Sequence, residues 1–363
     1  MRRKKKRLGI LTGGGDCSGL NAVIRAAVRT ADSLGWESVG IQESFGGLLN
    51  IKRSRVLRPV DVRGILHTGG TILGTTNHGD PFRFPKGRGK ETVYTDRSAE
   101  VLANFKRLGL AGLVIIGGDG TLKIGMKFQK LGIPVIGVPK TIDNDVAATQ
   151  VTFGFDTAVS IATEALDRLH TTAFSHRRVM VLETMGRNVG WIALHAGIAG
   201  GADVILIPEI PFDIHKVCDK IRDRARRGRR FSIVVAAEGA LPEGGAQKLQ
   251  EQARAGREAR LGGIGEIVAD RISDITGAET RAIVLGHLQR GGRPTNWDRL
   301  LGTRFGSAAV RAAVEGHWGH MVALRPPTIQ LVPLERAVSQ IKRVPKGGDV
   351  IRAARDLGIS FGD

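Results

Sequence analysis

Two aspartates lie two residues apart in Pro139-Lys140-Thr141-Ile142-Asp143-Asn144-Asp145. Two such charges in a cleft need a metal, a proton or basic partners. One suits a general base, and the other suits holding Mg2+ through water. Upstream, Gly117-Gly118-Asp119-Gly120-Thr121 places a carboxylate among glycines. Glycines let backbone N–H groups approach an anion, and a helix N-terminus adds its dipole. The natural partner of Asp119 among such donors is a divalent cation bridging phosphates. Gly13-Gly14-Gly15-Asp16-Cys17-Ser18-Gly19 has the same make-up. Either loop taken alone also reads as a structural turn.

Further polar strings follow. Met185-Gly186-Arg187, Glu238-Gly239, Arg281 and Gly286-His287-Leu288-Gln289-Arg290-Gly291-Gly292 all flank apolar runs. Arginines at strand ends suit bidentate phosphate binding. Glu238 suits sugar hydroxyls. A lone Arg is usually a surface charge and a lone His structural, so the weight rests on their falling at strand ends together.

The elements that must position them alternate. Strand-like runs cover about 8–12, 112–116, 133–138, 179–183, 203–207, 231–237 and 282–285. Helix-like spacing covers about 20–34, 121–131, 156–172, 188–200, 213–228 and 296–316. Strands separated by helices predict mainly parallel α/β sheets with right-handed crossovers. Such sheets bind ligands at the carboxyl ends of their strands. Residues 241–263, rich in Gly, Ala, Gln, Arg and Glu, read as an insertion.

Composition excludes several classes. With 363 residues the chain suits two lobes better than one compact domain. It has two cysteines, Cys17 and Cys218, in no CxxC pair, so neither a disulfide scaffold nor a zinc site is expected. No run approaches the roughly 20 apolar residues of a membrane span, and no signal peptide is visible. A cytoplasmic protein is expected. The net charge of +19 includes the opening Arg2-Arg3-Lys4-Lys5-Lys6-Arg7. A basic nucleic-acid binder is one reading of that charge, but zinc-finger spacing and aromatic RNA-binding motifs are missing, so no nucleic-acid partner is expected. A positive field equally steers polyphosphate substrates.

GGGDCSGLNAVIR, GGDGTL, PKTIDNDV, SHRR, ETMGR, AAEG and ETRAIVLGHLQRGG, with their spacing, resemble the phosphofructokinase family from about residue 8 to 343. GGDGT alone also resembles the phosphate loop of NAD kinases and lipid kinases, but those do not need TIDND or GHLQRGG. The resemblance implies two lobes: a donor lobe of 1–154 plus about 290–340, and a sugar-phosphate and effector lobe of 155–289 plus about 341–363. It implies phosphoryl transfer from MgATP to the 1-hydroxyl of fructose 6-phosphate, with Asp143 taking the proton. Asp119 would hold Mg2+, with Asp145 near it. Gly15, Gly118, Asp119, Gly120 and Thr121 would cradle ATP. Thr141 and Arg187 would stabilise the transferring group. Met185, Gly186, Glu238 and His287 would contact the sugar, and Arg290 its 6-phosphate. Arg178 and Arg281 match positions that reach this phosphate from a neighbouring subunit, so a homo-oligomer, at least a dimer and commonly a tetramer, is implied. Arg25, Arg29, Arg227, Arg229 and Arg230 resemble basic positions of the family's effector site.

Two departures bear on the donor. Family members use ATP or pyrophosphate. The position after GGD is usually Gly in ATP users and Asp in pyrophosphate users. Here Gly120 leaves room for the α-phosphate that an Asp would crowd and repel. The residue before TIDND is Lys in pyrophosphate users, and here it is Lys140. Gly120 is weighted more, so ATP is the expected donor and pyrophosphate the alternative. Many members place a donor-binding Arg near residues 74–80. This chain has His78 there, with Arg83 further on.

Overall fold

The computed structural model describes residues 5–77, 79–86, 92–245, 249–251 and 260–363. They form two compact units: residues up to Asp156 together with Arg290–Ile341, and residues 157–289 together with Lys342–Asp363.

The first unit is built on a seven-stranded sheet. Its order is Thr328–Pro333, His320–Arg325, Val135–Pro139, Leu110–Gly117, Arg7–Thr12, Glu37–Ile41, Ser54–Leu57. The five central strands run parallel. The two edge strands pair antiparallel. The alternation of strand and helix motifs fixes the parallel centre. The edges are not predicted by it, because short and half-exposed runs such as Ser54–Leu57 carry little apolar signal.

Helix Leu20–Ser33 buries Leu20, Val23, Ile24, Ala27, Val28 and Ala31 on one face, as its spacing requires. It packs against helix Asn296–Val314 at a point where a Cβ on Gly306 would come 2.4 Å from the Val23 carbonyl oxygen. Only glycine permits that approach. Under the sheet, Leu113, Ile115, Leu122, Phe128, Val135 and Met321 form a fully buried core.

Register decides where the site lies. Thr12 pairs with Ile116, and Gly117 pairs with Pro139. The loops beginning at Gly13, Gly118 and Lys140 therefore leave the sheet at one level. The ladder continues into them: Gly13 N–H donates to Ile116 O at 2.9 Å, and Lys140 N–H donates to Gly117 O at 3.0 Å.

The second unit has a four-stranded, all-parallel sheet in the order Thr280–Val284, Val179–Thr184, Ser232–Ala237, Val204–Leu206. Helices Ile214–Arg226 and Ile264–Thr276 cover it over a core that includes Val181, Leu206, Val234 and Ile272. Thr184 pairs with Ala237, so Met185 and Glu238 emerge side by side. Residues 188–190, expected to open a helix, are loop instead, and the helix is Trp191–Ala199. The buried Glu209 carboxylate accepts from Gly190 N–H at 3.0 Å and so fixes that loop.

Candidate active site

In the first unit the structure gathers three loops. Helix Asp119–Lys130 starts at the N-cap Gly118, which has no side chain to cap it. Its first-turn N–H groups therefore point outward with the positive end of the helix dipole. Thr121, only 7% exposed, wedges its side chain between Gly13 and Gly117. Asp119 pairs with Lys123 at 2.7 Å. A Cβ built on Gly120 meets nothing within 4 Å. Glycine at 120 is therefore not demanded by the chain's own packing, and the space beside it is open.

The third loop is locked from within. Asn144, between the two aspartates, sits at φ 53 and is 4% exposed. Asn tolerates this left-handed conformation better than most residues. Its Oδ1 accepts from Thr152 N–H at 3.1 Å, and Thr152 Oγ1 donates to Thr141 O at 2.8 Å. Asp143 N–H donates to Thr141 Oγ1 at 3.1 Å. Sequence reasoning missed Asn144 and Thr152. The signal for Asn144 was its place between two carboxylates.

Asp143 is a strongly perturbed carboxyl. Loss of solvent pushes it up to about 6, the neighbouring Asp145 charge adds to this, and Arg290 and Lys140 oppose it. Its Oδ1 is buried and has no hydrogen-bond partner among the described residues. A buried, unsatisfied carboxylate oxygen is costly to the fold and suits proton abstraction.

Lys140 and Arg290 both reach the first glycine-rich loop. Lys140 was expected to mark donor choice, and its ammonium donates to the Gly15 carbonyl. Arg290 was expected beside the sugar's 6-phosphate. Its guanidinium leans on Gly15, where a Cβ would meet Nη1 at 2.7 Å, and Nη1 donates to Asp16 O at 3.2 Å. The bare Gly15 leaves the space, and the Asp16 carbonyl supplies the acceptor.

In the second unit Met185, Gly186, Arg187 and Glu238 stand at the carboxyl end of the sheet, and Glu238 N–H donates to Thr184 O at 2.8 Å. The turn Gly286–Arg290 carries the exposed His287 and the buried Gln289. Gln289 Oε1 accepts from Met185 N–H at 3.3 Å, and Nε2 donates to Gly286 O at 3.1 Å. Gln289 thus ties the loop at Met185 to the turn at Gly286, a role the string GHLQRGG did not reveal.

Arg178 and Arg281 do not join this group. Both pair with Glu279, at 2.7 and 2.8 Å. They flank the amino ends of Val179–Thr184 and Thr280–Val284, and a strand of this length carries the chain about 17 Å. The sequence reads Arg281 as preceding its strand, with residues 286–292 following it, and the register places it at the amino end. Arg83 stacks on the Tyr94 ring at 4.4 Å. His78 lies outside the described residues. Arg227 is held by Asp223 at 2.9 Å.

No three His, Cys, Asp or Glu side chains cluster as a metal cage among the described residues. Mg2+ does not need one, since it is usually held by one or two carboxylates together with substrate phosphates. Asp119 and Asp145 are hard oxygen donors of that kind. No described helix is long and apolar enough to cross a membrane.

Comparison with known proteins gives one picture. Residues 7–313 match the family described as Phosphofructokinase. The chain is 55% identical over 363 residues to the ATP-dependent 6-phosphofructokinase of Chloroflexus aurantiacus, covering 100% of this chain and 99% of that one. It is 52% identical over 361 residues to ATP-dependent 6-phosphofructokinase 1 of Synechocystis sp., covering 99% of each. Among solved structures, phosphofructokinase from Saccharomyces cerevisiae superposes with a TM-score of 0.79 at 31% identity. That match covers 92% of this chain and 45% of the yeast chain, so this chain spans less than half of the yeast protein.

Proposed function

This chain belongs to the phosphofructokinase family, and from that premise we propose that it transfers the terminal phosphoryl group of ATP to the 1-hydroxyl of fructose 6-phosphate, the glycolytic reaction. The observation that carries the mechanism is Asp143, a carboxylate beside two glycine-rich loops with a buried oxygen that has no hydrogen-bond partner among the described residues.

In the reaction the 1-hydroxyl oxygen bonds to the terminal phosphorus as the bond to the β-phosphate oxygen breaks. ADP leaves with that electron pair. The hydroxyl proton goes to an Asp143 oxygen. Gly15, Gly118 and the first-turn N–H groups of Asp119, Gly120 and Thr121 cradle the donor. The open space beside Gly120 suits a nucleotide's extra phosphate. Thr141 and Arg187 offset charge on the transferring group. Asp119 and Asp145 would hold Mg2+, which when bound would neutralise charge on the donor phosphates. Met185, Gly186, Glu238 and His287 bind the sugar.

Arg290, which donates to the Asp16 carbonyl beside Gly15, is assigned to the 6-phosphate of the sugar. Arg290→Ala separates its two assignments: a raised KM for fructose 6-phosphate supports the sugar role, and a raised KM for ATP supports a role on the donor loop. Arg178 and Arg281, remote from Met185 and Glu238 in their own sheet, are assigned to a neighbour's 6-phosphate. The active form is then a cytoplasmic homo-oligomer, at least a dimer, with a tetramer expected.

Phosphorus NMR of the product tests the reading. Fructose 6-phosphate, MgATP and the purified chain should give ADP and a sugar with a second phosphate on carbon 1. A second phosphate elsewhere, or no transfer, contradicts it.

A further inference from the structure

Lys140 is only 4% exposed, and it touches both glycine-rich loops of the first unit. Its main chain serves the second loop. The N–H donates to Gly117 O at 3.0 Å, and the carbonyl lies beneath Gly118, where a Cβ would stand 3.2 Å from it. A bridge to Phe153 holds the same backbone from the other side. The side chain serves the first loop. The ammonium donates to the Gly15 carbonyl and passes under Gly14, where a Cβ would lie 3.5 Å from Nζ. Cys17, Asp16 and Asp143 are the groups around it that can carry negative charge, and Arg290 is the basic one.

A buried ammonium is costly unless paired and hydrogen-bonded. A run of three glycines is conformationally loose unless something restrains it. Here each problem answers the other. The carbonyl gives the ammonium an acceptor, and the ammonium removes freedom from the loop.

We infer that Lys140 is a positioning residue of the donor cradle: its main chain fixes the second glycine-rich loop and its ammonium fixes the first, so both present their N–H groups in one arrangement. It acts through the Gly15 carbonyl and does not select the donor by touching its terminal phosphate. The identity of the donor rests on the phosphoryl-transfer reading above, but the restraint on the loop does not.

Amide hydrogen exchange on the full, ligand-free chain tests the restraint. Calorimetric binding of ATP and of ADP tests its consequence. Lys140→Met keeps the length and removes the donor. Exchange across residues 13–19 should rise by about 10-fold or more, the scale of a lost charge-assisted hydrogen bond, while the core strands keep their protection. ADP and ATP should weaken by the same factor, about 10-fold, because both need the loop. Lys140→Gln, which keeps an N–H donor without charge, should fall between. Unchanged exchange across 13–19 overturns the inference. So does weakened ATP binding with ADP unaffected, since only ATP carries the transferred phosphoryl group. If Lys140→Met does not fold, Lys140→Gln decides by the same two criteria. A wild type that binds neither nucleotide would count against the phosphoryl-transfer reading and leave the exchange result standing.

Discussion

Asp143 in the first unit and Glu183 in the second are both carboxylates that burial lifts above their ordinary values. They differ in what meets their oxygens. Glu183 accepts from Gly265 N–H at 2.8 Å and Gly263 N–H at 3.2 Å, and so anchors the start of helix Ile264–Thr276. Asp143 keeps one buried oxygen with no hydrogen-bond partner among the described residues, and a second acidic charge beside it. Burial alone therefore does not mark a reactive group. Glu183 is satisfied and supports the fold, whereas the unsatisfied oxygen of Asp143 is what supports its proposed role as the base.

Substitution of both residues tests that contrast. Asp143→Asn should lower kcat by about 10²–10⁴, the usual weight of a general base, with the melting temperature held or raised. Glu183→Gln should leave kcat within a few-fold. Equal losses of turnover in the two variants would erase the distinction.

A third carboxylate can be added where the chain leaves room. Gly120→Asp should fold normally, since a Cβ there meets nothing, yet lose ATP turnover by more than about 100-fold through like-charge repulsion of the nucleotide. Gly120→Ala is the control and should shift stability by no more than about 1 kcal/mol. ATP turnover that survives Gly120→Asp would refute the crowding argument.

Glu183 has its own signature in stability. Its folded value lies above the unfolded value of about 4.5, so the folded chain holds that proton more tightly. Its contribution is complete below that unfolded value and is lost as pH rises through the folded one. Glu183→Gln should therefore cost about 1–3 kcal/mol near pH 4.5, and the gap to wild type should narrow as pH increases. Denaturant melts at several pH values would show this. A gap that widens with pH would mean that the charged form is the stabilising one.

The smallest effect concerns the pair itself. In metal-free protein, a carboxyl carbon NMR titration of Asp143 should find a midpoint near the value of about 6, with the base form gained as pH rises. Asp145→Asn should move that midpoint down, because the Asp145 charge is one of its causes. An unmoved midpoint would assign the perturbation to burial alone.

Much of this was legible before any coordinates. Apolar runs ending in glycine located Gly13 and Gly117, a further apolar run led to Pro139, and strand alternation implied the parallel centre of each sheet. What stayed hidden depended on long-range placement. The direction of the Lys140 ammonium depends on where Gly15 lies, 125 positions away in the chain. Asn144 and Gln289 act through buried amides whose partners, Thr152 and Met185, no local pattern names. Arg178 and Arg281 have the residue type of a phosphate ligand, but their strand register puts them at the wrong end of their own sheet. Residue type and spacing thus announced the chemistry, while register and burial decided which residues can share it.

The most direct measurement is turnover of the purified wild-type chain with fructose 6-phosphate and Mg2+, supplied in parallel with ATP and with pyrophosphate. Turnover with ATP and none with pyrophosphate is predicted, because the space at Gly120 is open and Lys140 is committed to Gly15. Turnover with pyrophosphate alone would contradict the account, since Lys140 would then outweigh Gly120 in choosing the donor.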